Sequence, residues 1–203
     1  MIQPIIFCKA PAPGRVKTRL SPACSPAEAA RLHAAMARRV IARTLALWPW
    51  TWVAADDPKH PFFRELDARL IPQGEGDLGA RMRRAAEMAF ASGRGGVLLL
   101  GTDSPHMSEA RLKTAVRLLT GAGGRVDVVI GPVEDGGYDL LAMRGMHREL
   151  FDDIPWGGAS VRDVTLRRAQ AAGLSVRLLS MGFDVDTPED LARARRMGLP
   201  WLE

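Results

Sequence analysis

The sequence predicts an α/β fold: a three-layer αβα sandwich with a mostly parallel central sheet. Three observations lead there. Short apolar runs of strand length alternate with longer stretches of helical spacing along the whole chain. One run, Val97-Leu98-Leu99-Leu100, is apolar at every position, the pattern of a strand covered on both faces. The 203 residues are 47% apolar and 25% charged, enough to build a full core without metal or disulfide staples.

Ile2–Cys8 is a buried first strand that ends in a Pro/Gly loop. Ser25 caps, and Pro26 opens, an amphipathic helix running to about Leu47. Thr51–Ala55 is a second strand, closed by Asp56-Asp57-Pro58, and His60–Asp67 a short helix. Arg69–Ile71 is a third strand stopped by Pro72, and Leu78–Ala91 is helical up to Gly93, Gly95 and Gly96. After Val97–Leu100, Ser108 caps a helix to about Leu119. Val126–Ile130 reads as another apolar strand and Tyr138–Met143 as the next. Gly158 to Ala171 is helical, Leu174–Leu179 is a strand, and Thr187-Pro188-Glu189-Asp190 starts the last helix. Without repeat, low-complexity tract or linker, residues 1–203 read as a single domain.

Charge and composition narrow the function. Net charge is +5, with arginine supplying 24 of the 28 basic residues, which suits an anionic partner. The arginines are scattered on helical stretches and aromatics are sparse, so no nucleic-acid platform is built. No apolar run reaches the length of a membrane span, and Pro4, Lys9, Pro11 and Pro13 interrupt any signal-peptide core. A cytoplasmic protein is expected. Cys8 and Cys24 have no metal-ligand spacing, the four histidines are dispersed, and there is no nucleophile elbow. Leu199-Pro200-Trp201-Leu202 suits docking on the domain as well as a partner, which leaves oligomeric state open.

In an open α/β sheet ligands bind at the carboxyl ends of the strands, so polar residues there carry the chemistry. After the first strand, Lys9, Pro13, Gly14, Arg15, Lys17 and Arg19 form a cationic turn suited to phosphate, though not a Walker A loop. The bland alternative is a solvated surface turn. Asp103, in Gly101-Thr102-Asp103-Ser104-Pro105, is placed to hold Mg²⁺ or Mn²⁺, or only to cap a turn. Asp184 and Asp186, two apart in an extended segment, point the same way and gain from a cation. Helix capping at Asp186 or Thr187 is the rival. Asp135, Gly136, Gly137 and Tyr138 follow a strand in a loop where glycines let a ligand approach closely, or form a plain loop. Gly74-Glu75-Gly76-Asp77-Leu78-Gly79 mimics a dinucleotide fingerprint without a firm strand before it. Contact with another ligand through Gly76, Asp77 and Gly79 is the better reading.

These segments, with Arg81-Met82 and Pro155-Trp156, recur in the order that resembles a bacterial family of glycosyltransferase-like proteins. That family has the nucleotide-diphospho-sugar transferase fold, Rossmann-like and of the glycosyltransferase-A type. More distantly the chain is similar to 2-phospholactate/phosphoenolpyruvate guanylyltransferases, through Lys17-Thr18-Arg19-Leu20 and Asp184-Val185-Asp186-Thr187-Pro188-Glu189-Asp190-Leu191. The resemblance implies that the first loop holds nucleotide phosphates and that Asp103, Asp184 and Asp186 hold the divalent metal. Trp156 is implied near substrate, but Gly157-Gly158 stand where many family members have Ser-Thr.

The expectation is a metal-dependent transferase passing a nucleotidyl group from a nucleoside triphosphate to a small anionic acceptor. Lys17, Arg19 and Asp103 would be its catalytic residues. The alternatives are a glycosyltransferase using a nucleotide-sugar, with Asp135 or Asp139 as base, and a nucleotide-binding module without turnover. Nucleic acid and membrane are not expected partners.

Overall fold

The computed structural model describes residues 1–21, 23–121 and 126–199; Pro200, Trp201 and Leu202 of the apolar terminus lie outside them. The strands are β1 (Ile2–Cys8), β2 (Trp52–Ala55), β3 (Arg69–Pro72), β4 (Gly96–Leu100), β5 (Val128–Pro132), β6 (Tyr138–Met143) and β7 (Val176–Leu178). The helices are α1 (Pro26–Leu47), α2 (Pro61–Arg64), α3 (Leu78–Ala91), α4 (Glu109–Thr120), α5 (Val161–Ala171) and α6 (Pro188–Arg196). The strands form a seven-stranded sheet of order β3-β2-β1-β4-β6-β5-β7. All neighbours are parallel except those of β6, which runs antiparallel to both β4 and β5.

Strand alternation sorts the core into two layers. Ile6, Val53, Leu98, Leu100 and Leu140 pack with Val40 and Ile41 of α1, Phe62 and Phe63 of α2, and Leu112 and Leu119 of α4. Ile5, Trp52, Val97, Leu99 and Leu141 pack on the other face against Met82, Ala85 and Ala89 of α3 and Ala169 of α5. The expected three layers are present.

Several boundaries move for local reasons. β5 begins at Val128 rather than Val126, because Asp127 accepts from the backbone and hydroxyl of Ser175 instead of entering the strand interior. α2 is only Pro61–Arg64, with the His60 ring accepting from Phe62 N. α5 starts at Val161, since residues 157–160 turn to lay the Ala159 carbonyl on Gly136. β7 is confined to Val176–Leu178. A strand, β3, does precede the Gly74–Gly79 segment, as an edge strand beside β2. No helix among the described residues is long and apolar enough to cross a membrane.

Candidate functional site

A small third cluster builds the site. Leu20, fully buried, packs with Met36, Phe183, Val185, Leu191 and Ala194. Burying a leucine contributes about 2 kcal/mol, and this one joins the loop after β1 to the segment leading into α6. Val185 also donates its N–H to the Asp103 carbonyl at 2.8 Å. Three distant stretches thereby meet at the carboxyl edge of the sheet.

Lys17 lies at their junction. Its backbone is left-handed (φ 48°), and buried Val16 and Leu20 on either side hold the turn. Its Nζ is 2.5 Å from Asp103 Oδ1, 2.7 Å from Asp186 Oδ1 and 2.8 Å from the Val185 carbonyl. Three acceptors use the three ammonium protons, and the side chain is 4% exposed. Burial alone would lower the Lys17 pKa, but the charges of Asp103 and Asp186 outweigh it and raise it. Burial would likewise raise the Asp103 carboxyl, and Lys17 overrides that to hold it low. Lys17 therefore organises acids in this structure; it is not extended toward a phosphate.

Asp184 differs. The Ser104 hydroxyl lies 2.6 Å from its Oδ1, and burial, reinforced by the Asp103 charge, pushes its pKa up to about 7. Asp184 and Asp186 both leave the core to Val185, as extended alternation requires, but they diverge across the rim. α6 is capped by Thr187, whose side chain accepts from Asp190 N, and α4 by Ser108, so capping occupies neither Asp186 nor Asp103.

Two cavities adjoin here. The first, about 570 Å³, is lined by Lys9, Arg15, Lys17, Arg19, Gly76, Asp77, Arg81, Asp103 and Asp186. The second, about 520 Å³, is lined by Asp135, Gly137, Tyr138, Asp139 and Asp184 among mainly apolar walls. Trp156 borders both, as does Arg19, and the rings of Tyr138 and Trp156 stand edge to face at 6.3 Å. Pro13, Gly14, Gly79 and Gly136 line neither. The reasons for the three glycines are internal. Gly14 takes φ 76° in the turn, a Cβ on Gly79 would strike Trp156, and one on Gly136 would strike Ala159 O. Asp77 lines the first cavity while capping α3 through Ala80 N.

Asp139 is not free to act as a base: it is buried, with Arg111 Nη2 3.1 Å from its Oδ1. The sequence reading missed Arg111, which looks from spacing like an ordinary charge on α4. It also missed Gln73, whose amide ties the ends of β1 and β2 through the Cys8 and Ala54 carbonyls. Gln73 directly follows β3, a position at which a polar residue is itself a signal. His33 lines the first cavity too. Its Nε2 is 2.9 Å from the Lys9 carbonyl, which can only accept, so Nε2 carries the proton; burial keeps the ring neutral.

Whether these residues suit a divalent cation is answered by donor chemistry and geometry together. Asp103 and Asp184 supply hard carboxylate oxygens close enough to sense one another's charge, which fits Mg²⁺ or Mn²⁺. Among the described residues no group of three or more acidic, His or Cys side chains is set to hold a metal, and Lys17 engages Asp103 and Asp186 alike. The fit is to a pair.

A family model described as "Uncharacterized protein conserved in bacteria (DUF2064)" matches residues 30–158. The chain belongs to this family. As a DUF2064 member it is 28% identical over 187 residues to a phosphoenolpyruvate guanylyltransferase of Mycobacterium sp. (strain KMS), covering 90% of this chain and 82% of that one. It is also 28% identical over 186 residues to the 2-phospho-L-lactate guanylyltransferase of Methanothermobacter thermautotrophicus, covering 86% and 76%. A crystal structure from Desulfovibrio desulfuricans G20, named as a candidate nucleotide-diphospho-sugar transferase, superposes with TM-score 0.89 at 30% identity. It covers 98% of this chain and 87% of that one. This DUF2064 chain thus has the nucleotide-diphospho-sugar transferase fold and distant homology to guanylyltransferases.

Proposed function

We propose that this protein is a nucleotidyltransferase, moving a nucleoside monophosphate from a nucleoside triphosphate to a small acceptor. The observation that supports it most is the first cavity, whose volume suits a small-molecule ligand and whose wall collects Lys9, Arg15, Arg19 and Arg81 beside Asp103. A triphosphate carries the charge that such a wall binds. Distant homology to guanylyltransferases agrees with it.

In this reading Arg15 and Arg19, both exposed on the loop, grip the β- and γ-phosphates as charge builds on the departing pyrophosphate. Lys17 holds Asp103 and Asp186 in place. Asp103 and Asp184 would hold Mg²⁺ or Mn²⁺, which when bound neutralises charge on phosphate oxygens. Trp156, bordering both cavities, positions the nucleotide against the acceptor.

A thermal-shift panel of nucleoside triphosphates and nucleotide-sugars, each with and without Mg²⁺, tests this. A triphosphate at ~100 times its Kd raises apparent stability by about 2.7 kcal/mol, and pyrophosphate release should follow when an acceptor is added. Turnover of a nucleotide-sugar, with the nucleoside diphosphate as product, would move the assignment to glycosyl transfer. Absence of any metal-linked shift would end both.

A further inference from the structure

Arg84 lines neither cavity, yet it holds part of a cavity wall. From α3 it donates through Nη1 to the Gln73 carbonyl at 2.6 Å and through Nη2 to the Glu75 carbonyl at 3.0 Å. Arg81, nearly one turn earlier, donates through Nε to the Gly76 carbonyl at 2.8 Å. The carbonyls of Gln73, Glu75 and Gly76 are thus all turned toward guanidinium groups of a single helix. A trans planar peptide points its N–H opposite to its C=O, so the N–H groups of Gly74, Gly76 and Asp77 face away from those groups. Gln73, Gly76 and Asp77 border the first cavity.

This segment needs holding. Gly74 and Gly76 take φ of 75° and 98°. Glycine enters that region freely but leaves it as freely, so the loop sequence alone does not select one arrangement. Gln73 ties the start of the loop to β1 and β2, and Asp77 ties its end to α3. Between those anchors the Arg84 fork spans the stretch with its two bonds. Gly74 and Arg84 are fitted to each other: a Cβ on Gly74 would lie 2.5 Å from Arg84 Nη1. Arg84 is exposed, so it fills no core position, and its neighbour Arg83 turns to Asp152 instead, at 2.9 Å.

We propose that Arg84 is a positioning residue: from the outer surface of α3 it fixes the glycine loop of the first cavity in the arrangement that takes a nucleotide. That the occupant is a nucleotide rests on the nucleotidyltransferase reading. The planar fork meets two carbonyls at once, which the single ammonium of a lysine does not reproduce. Without the fork the glycines are free to rearrange. A loop that spends about a tenth of its time in the competent arrangement binds about tenfold more weakly.

The test uses the full chain, with GTP, CTP, ATP and UTP each titrated by calorimetry in the presence of Mg²⁺. Loop order is read separately, from the NMR shifts and order parameters of the Gly74, Glu75 and Gly76 amides without nucleotide. In the native chain these amides should show order parameters of about 0.85, the value of rigid backbone. Arg84→Met should shift their signals, lower the order parameters below about 0.6 and weaken the best-bound triphosphate about tenfold. Arg84→Lys should do nearly the same, and it carries the comparison if Arg84→Met does not fold. Arg83→Met, which removes the same charge from the same helix, should leave loop and affinity unchanged. A native-like loop and affinity in the Arg84 variants, a change in only one of the two, or an equal loss in Arg83→Met would each overturn the proposal. A loop loosened as expected, with no triphosphate bound by the native chain, would overturn the nucleotidyltransferase reading and leave Arg84 standing as the holder of the loop.

Discussion

The Lys17 ammonium lies 2.5 Å from Asp103 and 2.7 Å from Asp186, so one buried cation holds two carboxylates from segments far apart in the chain. Removing one member of a fully buried ion pair costs roughly 3–5 kcal/mol. Asp103 and Asp186 keep 43% and 29% of their side-chain surface, which screens part of the penalty. Lys17→Met should therefore destabilise by about 2 kcal/mol, read from urea unfolding. Lys17→Arg should not restore the loss, because a planar guanidinium cannot serve three acceptors grouped around a point charge. A loss under about 0.5 kcal/mol would instead mark Lys17 as an ordinary surface charge.

Asp184 has its pKa raised to about 7, first by burial and then by the charge of Asp103. The folded state thus favours the protonated acid. Its stabilising contribution is full below the unfolded value of about 4 and is lost as pH rises through 7. Three units would amount to about 4 kcal/mol, and partial exposure halves this to roughly 2. Asp184→Asn should accordingly be more stable than the native chain at pH 8 and nearly equal at pH 4, with a flatter stability–pH curve. In the enzyme reading it also loses the metal-linked part of nucleotide affinity; the gain in stability and that loss are separate measurements.

Arg111 and Asp139 form the most enclosed ion pair described, at 12% and 3% side-chain exposure. Arg111→Met should cost about 3 kcal/mol by leaving a carboxylate buried without a partner. Arg111→Met with Asp139→Leu should recover much of that, because no charge is then stranded. Additive losses in this double-mutant cycle would show that the two side chains act independently.

Gly79→Ala should alter the site without emptying the core. The new Cβ would lie 2.6 Å from the Phe151 carbonyl and collide with the Trp156 indole. Trp156 must then move away from the border between the cavities. The expected signs are a change in tryptophan emission and weaker nucleotide binding, with a stability loss of about 1–3 kcal/mol.

Much of the fold is legible from periodicity. Strands buried on both faces, such as Val97–Leu100, and helices marked by Ser25-Pro26 or Ser108 stand where the pattern puts them. The direction of β6 is not legible, because Tyr138–Met143 presents the same apolar pattern whichever way it lies on β4. Candidate site residues were found because polar side chains cluster at strand ends, and Lys9, Arg15, Asp103 and Asp186 do line one cavity. What Lys17 does with its charge was hidden, since its partners are 86 and 169 residues further along (103 − 17 and 186 − 17). Gly136 and Gly79 read as ligand-facing for the same reason: the atoms that forbid a side chain there come from Ala159 and Trp156.

The apolar cluster joining Leu20 to Phe183 and Val185 has a temporal meaning. As the chain leaves the ribosome, the loop bearing Lys17 emerges early and waits for almost the entire remainder of the polypeptide before Asp186 can neutralise it. A product interrupted before Phe183 would leave the Lys17 ammonium with Asp103 but without Asp186 and the Val185 carbonyl, and so without a finished binding rim.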